Sequence, residues 1–144
     1  MKKLVVDASV AAKWFLPAAH EPYSAEATHL LDEFTSGEVH LMAPDLLWPE
    51  VGNLLWNSVR CGRVSMEMAS KAVEALEQMG IRSAPMQPLM AEAFSIASAF
   101  DRTVYDSVYV ALALRSGVPL VTADERLVRA LAGRFPIRFL GAFG

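Results

Sequence analysis

The sequence predicts an α/β fold: a three-layer α/β/α sandwich with a short parallel sheet in the middle. Short apolar runs alternate with stretches of helical periodicity along the whole chain. Of the 144 residues, 53% are hydrophobic and 20% charged, which suits a single domain over residues 1–144 with a substantial buried core. Four acids far apart in the chain, Asp7, Glu50, Asp106 and Asp124, each fall where a strand has ended or a helix begins. If the strands are parallel, all four meet at one sheet edge.

The elements follow in order. Lys3 to Val6 reads as a buried strand and Val10 to Leu16 as a helix, followed by a loop from Pro17 to Pro22. An amphipathic helix then places Tyr23, Ala27, Leu30, Leu31 and Phe34 on one face and ends at Ser36-Gly37. Val39 to Met42 is a strand that Pro44 breaks. Helices from about Leu46 to Arg60 and from Ser65 to Met79 follow, then an extended piece at Ile81 to Ala84. Helices at Leu89 to Phe100 and Tyr105 to Ser116, a strand Val118 to Thr122, a helix Glu125 to Ala132 and a strand Ile137 to Leu140 complete the pattern.

Element lengths predict the convergence of the acids. Asp7 follows the first strand at its carboxyl end. From Asp106, a helix of roughly 11 residues descends about 16 Å before Gly117 stops it. The strand Val118 to Thr122 climbs roughly 16 Å back, so Asp124 lands beside Asp106. Glu50 lies in the first turns of the helix after the Val39 strand. Open parallel sheets bind ligands outside their strand carboxyl ends, which makes this edge the expected site.

Composition excludes several classes. No apolar stretch approaches the roughly 20 residues of a membrane span. The opening Met1-Lys2-Lys3-Leu4-Val5-Val6 briefly resembles a signal peptide, but Asp7 and Lys13 interrupt its apolar region. The one cysteine, Cys61, makes no internal disulfide and fits a reducing cytoplasm. A net charge of −3 argues against nonspecific coating of nucleic acid, though not against an enzyme with an acidic centre and basic rim. Lys13, Arg60, Arg63 and Arg102 are candidate rim residues that could track phosphates, although such residues are more often simply solvated charges.

Each acid has a plain structural reading. Asp7, Asp106 and Asp124 suit N-cap or first-turn positions, where carboxylates satisfy orphan amides and the helix dipole. Glu50 resists that reading, because its helical neighbours include Leu46, Leu47 and Leu54, and a buried unpaired charge costs several kcal/mol. Either a cation held with the other acids compensates it, or an ion pair with Lys13 does. Four clustered carboxylates raise one another's pKa unless a divalent ion neutralises them. Oxygen ligands without His or Cys favour Mg2+, with Mn2+ as a substitute, over zinc. His20, His29 and His40 have no ligand spacing and read as surface residues. Such an ion keeps several waters and can activate one against a phosphodiester. Ser9 and Thr122, each two residues from an acid, either support the carboxylates or serve as caps and turns.

These residues carry a family resemblance. V-V-D-A-S-V-A-A-K-W-F-L-P around Asp7, P-D-L-L-W-P-E-V-G-N-L-L around Glu50, Y-D-S-V-Y-V-A-L-A around Asp106 and L-V-T-A-D-E-R-L around Asp124 resemble the four acidic motifs of PIN-domain nucleases, specifically VapC-type toxins. A lone D-x-S is weak, whereas all four motifs in order across the whole chain are specific. The resemblance implies a PIN-like α/β/α fold, a cytoplasmic Mg2+-dependent endoribonuclease acting on RNA, a homodimer, and inhibition by a small antitoxin that blocks the acidic pocket. Asp7, Glu50, Asp106 and Asp124 would be both catalytic and metal-binding. The sequence departs from the pattern at Pro49, which removes an amide from the helix start just before Glu50.

Other classes stay open at this stage. A catalytically silent PIN scaffold that only binds proteins or metal has the same signature, and a DNA nuclease of the same mechanism is a further alternative, since nothing reads the ribose 2′-hydroxyl. A phosphoryl-accepting receiver domain is disfavoured, because Leu120-Val121-Thr122-Ala123 supplies no lysine at the end of a late strand. Large aromatics near the acidic edge, Trp14, Phe15, Trp48 and Trp56, are candidates for a groove that takes an amphipathic helix. The apolar residues of the Leu46 and Ser65 helices exceed what a small sheet face covers, which also predicts a dimer.

Overall fold

The computed structural model describes residues 2–143 and holds five parallel strands in the order β3-β2-β1-β4-β5. The strands are β1 (Lys2–Val6), β2 (Val39–Pro44), β3 (Arg82–Ala84), β4 (Leu120–Thr122) and β5 (Ile137–Phe139). Side chains alternate between sheet faces, so three consecutive buried residues in a strand require cover on both faces. Leu4, Val5 and Val6 in β1 and Leu120, Val121 and Thr122 in β4 are all buried, which establishes the sandwich.

Seven α-helices supply the cover: α1 (Ala8–Ala11), α2 (Ser24–Thr35), α3 (Leu47–Arg60), α4 (Met66–Gln78), α5 (Met90–Phe100), α6 (Val104–Ser116) and α7 (Glu125–Leu131). The innermost is α6, whose residues from Ser107 to Ala113 are all buried. Thr103 caps its start by accepting from the Asp106 amide, and Gly117 ends it at φ 67°, a left-handed position that glycine takes without steric cost. The expected helix boundaries for α3 to α7 hold to within a residue or two.

Two local expectations are corrected. The first helix was expected over Val10 to Leu16, but it starts at Ala8 and gives way after Ala11 to a 3-10 turn over Ala12–Trp14. Pro17 biases Leu16 away from helical backbone, so the segment tightens before the loop. The loop itself contains a 3-10 turn at Ala18–His20. Pro44 does not break β2; it pairs with Ala84 as the last strand residue. The Asp45 amide still donates to the Ala84 carbonyl at 2.8 Å, so the pairing with β3 continues past the proline.

The topology positions the site. From β1 the chain winds outward through β2 to β3, then returns across the sheet to place β4 on the other side of β1. The direction of winding reverses between β1 and β4, and crevices open at such switch points. Val5 registers with Leu120 and Val6 with Val121. Asp7 therefore sits level with Thr122, its amide donating to the Val121 carbonyl at 3.1 Å.

Candidate active site

The structure brings Asp7, Glu50, Asp106 and Asp124 together around one cleft of about 770 Å³ at the carboxyl edge of the sheet. Each arrives by a different route. Asp7 leaves the end of β1, Asp124 follows β4, and Glu50 and Asp106 lie in the first turns of α3 and α6. Lys13, Asn53, Asn57, Arg63 and Tyr105 also line the cleft.

Asp7 is the most enclosed of the four. It occupies the N-cap position of α1 but makes no capping bond with its side chain. Instead its Oδ2 accepts from Ser9 Oγ at 2.6 Å and from Thr122 Oγ1 at 2.8 Å. Both hydroxyls thus support this carboxylate, and each has a second task. Ser9 Oγ accepts from the Ala123 amide, and Thr122 Oγ1 from the Asp124 amide. Burial pushes the Asp7 carboxyl up to about 6, with the charges of Asp106 and Glu50 adding to the rise and the two hydroxyls opposing it.

The other acids divide by role. Glu50 Oε1 accepts from the hydroxyl of buried Tyr109 at 2.6 Å. Burial raises its pKa, and repulsion from Asp106 adds to that despite the Tyr109 bond. Asp106 is raised by burial and then by Asp124, with Thr103 and Arg102 acting the other way. Asp124 does serve as a helix cap, its Oδ1 accepting from the amides of Arg126 and Leu127. The capping reading therefore holds for Asp124 and fails for Asp7. Pro49, the third residue of α3, lacks only an amide that has no intrahelical acceptor in a first turn, and the Glu50 amide still donates to the Leu46 carbonyl at 3.1 Å.

Among the described residues no ion pair neutralises this cluster. Lys13, the alternative partner for Glu50, is held by Glu21 at 3.1 Å, with both side chains largely enclosed. Arg60 lies over the Trp56 ring, and Arg102 precedes α6. The three histidines are exposed, as expected. Asp101 ends α5 in a left-handed conformation at φ 54° and faces solvent away from the cleft lining. Among the described residues no three His, Cys, Asp or Glu side chains form a ready-made metal cage. Oxygen donors, uncompensated charge and raised pKa values nevertheless fit a hard divalent ion that keeps much of its water, the usual state of Mg2+.

Tyr109 and Glu21 are the residues that sequence reasoning missed. Tyr109 had a signal, since it lies three residues after Asp106 on one helix and so shares its face. Glu21 had none, being in an irregular loop.

The PIN domain family model matches residues 4–132. The chain belongs to the PIN-domain family. This PIN domain is 35% identical over 136 residues to the protein named ribonuclease VapC3 of Pyrobaculum aerophilum, covering 93% of this chain and 95% of that one, and is of the VapC type. The crystal structure of PAE2754 from the same organism superposes with a TM-score of 0.70 at 28% identity, over 96% of this chain and 84% of that one. A toxin-antitoxin complex from Klebsiella pneumoniae shares the fold, with a TM-score of 0.66 at 12% identity over 95% and 97% of the two chains.

Proposed function

We propose that this PIN domain is a Mg2+-dependent endoribonuclease, the toxin of a type II toxin-antitoxin pair, with Mn2+ able to substitute. One observation carries the reading: four carboxylates line a single cleft, three of them with raised pKa values, and no lysine or arginine among the described residues is ion-paired to any of them. The 35% identity to a protein named as a ribonuclease supports the reaction class.

Asp7, Glu50, Asp106 and Asp124 would hold the ion, with Ser9 and Thr122 keeping Asp7 in place. The ion would neutralise the carboxylates, bind the scissile phosphate and activate water for attack on it. Arg63 on the cleft wall would meet neighbouring phosphates of the RNA, whereas Lys13 is taken by Glu21. The cap bonds to Asp124 Oδ1 leave its other oxygen free to face the cleft.

Two partners complete the proposal. Leu54, Trp56, Met66, Met68 and Val73 on α3 and α4 are exposed and support a two-fold homodimer. Trp14, Phe15 and Trp48 are partly exposed and Trp56 is exposed, although none of the four lines the cleft and Trp14 donates to the Ala27 carbonyl of α2; an antitoxin helix would pack on this outer surface and send an arginine or lysine to the carboxylates. The reading is tested by incubating the protein with matched single-stranded RNA and DNA, with Mg2+ or with chelator. Metal-dependent scission of RNA alone is expected; DNA cleavage would favour the nuclease alternative, and an inert protein the silent scaffold.

A further inference from the structure

We infer that Tyr109 is a positioning residue of the acidic site, locking Glu50 into the orientation in which it can serve the ion; this rests on the proposal that Glu50 is a metal ligand. Tyr109 lies one turn beyond Asp106 on α6, the most enclosed helix, and is itself 1% exposed. Its ring is fixed by the core, so its hydroxyl has little freedom. That hydroxyl donates to Glu50 Oε1 at 2.6 Å, the short distance expected of a hydroxyl bound to a charged acceptor. One rigid side chain therefore ties α6, which carries Asp106, to α3, which carries Glu50.

The need for such a tie follows from the geometry of Glu50. A glutamate on a helix has three side-chain torsions, and no other side chain donates to this one among the described residues. Asp7, by contrast, is a shorter side chain held by two hydroxyls. With Oε1 committed to Tyr109, Oε2 remains to face the cleft, and Glu50 would contribute one oxygen rather than chelate with two. Partners of metal ligands act in this way, and their loss weakens metal binding by about 10- to 100-fold.

The test titrates Mn2+ without RNA, by calorimetry and by the metal-induced rise in unfolding temperature, into wild type, Tyr109→Phe, Glu50→Gln and the double variant. Tyr109→Phe keeps the buried ring and removes only the hydroxyl. Its Mn2+ affinity is expected to fall about 10-fold or more, while adding it to Glu50→Gln lowers affinity no further. Wild-type affinity in Tyr109→Phe would overturn the inference and leave the four-carboxylate reading standing, as would an equal loss in the Glu50→Gln background. No Mn2+ binding by wild type would overturn both. Should Tyr109→Phe lose its fold, nuclear magnetic resonance of the folded proteins decides: a slowly exchanging Tyr109 hydroxyl proton is expected in wild type and is shifted or lost in Glu50→Gln, and a signal indifferent to that change would refute the tie.

Discussion

Thr122 donates its hydroxyl to Asp7 Oδ2 at 2.8 Å, joining residues 115 apart in the chain across the β1–β4 switch point. The same oxygen atom of Thr122 accepts from the Asp124 amide. A single buried hydroxyl thus aligns two of the four acids.

Thr122→Val keeps the shape of this side chain and removes both bonds. It leaves a buried carboxylate one donor short and a backbone amide unpaired, so metal-free stability should fall by about 1–3 kcal/mol. Metal affinity should drop about 10-fold or more. Chemical unfolding in chelator and a Mn2+ titration measure the two effects separately, and wild-type values in both would show that the hydroxyl aligns nothing.

Stability of the metal-free protein should fall as pH rises from about 4 to about 6. Burial, with repulsion from Asp106 and Glu50, pushes the Asp7 carboxyl up from 3.8 to about 6. Over that window the folded state still holds a proton that the unfolded chain has released, so raising pH favours unfolding. The loss is complete above about 6 and corresponds to about 3 kcal/mol for Asp7 alone. Glu50 and Asp106, raised for similar reasons, act in the same direction. Asp7→Asn should remove most of the slope and be more stable than wild type near pH 7. Thermal unfolding in chelator at several pH values checks this; wild type that gains stability relative to Asp7→Asn between pH 4.5 and 6.5 contradicts it.

Lys13→Ala should destabilise by about 3 kcal/mol or more, because it strands Glu21 as an enclosed, unpaired charge. The Lys13→Ala, Glu21→Ala double variant should recover part of that loss. A double-mutant cycle in urea measures the coupling, and additive losses would mean that the pair is merely adjacent.

Much of this site was legible because it depends on chain direction rather than detail. The apolar runs before Asp7 and Asp124, together with the length of the helix after Asp106, place three carboxylates at one edge by arithmetic alone. What escaped depends on tertiary approach. The Tyr109–Glu50 bond exists only because α6 and α3 flank the same cleft; helical spacing from Asp106 puts Tyr109 on the right face but does not name its partner. Lys13 looked free to reach Glu50, but the 3-10 tightening after Ala11 and the irregular loop deliver it to Glu21 instead. Pro44 looked like a breaker, but the bond from the Asp45 amide to the Ala84 carbonyl carries the pairing with β3 past it. The apolar surface was foreseen on α3 and α4; α5 and α6 also expose Met90, Phe94, Tyr105 and Leu114.

The proposed homodimer should depend on the α3–α4 surface. Trp56→Glu combined with Met68→Glu puts two charges into it and should shift the protein to monomer by light scattering at micromolar concentration. An unchanged mass would move the interface elsewhere, and a monomeric wild type would remove it.

The central claim is that the converging acids form a metal-dependent ribonuclease centre, and one cleavage assay tests it most directly. Single-stranded RNA is incubated with wild type, Asp106→Asn, Glu50→Gln and Asp101→Asn, each with Mg2+ and each with chelator. Wild type and Asp101→Asn should cut at matching rates with Mg2+ and stop in chelator, because Asp101 lies outside the cleft lining. Asp106→Asn and Glu50→Gln should stay folded and lose at least about 100-fold in rate, as expected when a group stabilising transition-state charge is removed. Wild-type cleavage by Asp106→Asn, or cleavage that persists in chelator, would contradict the account.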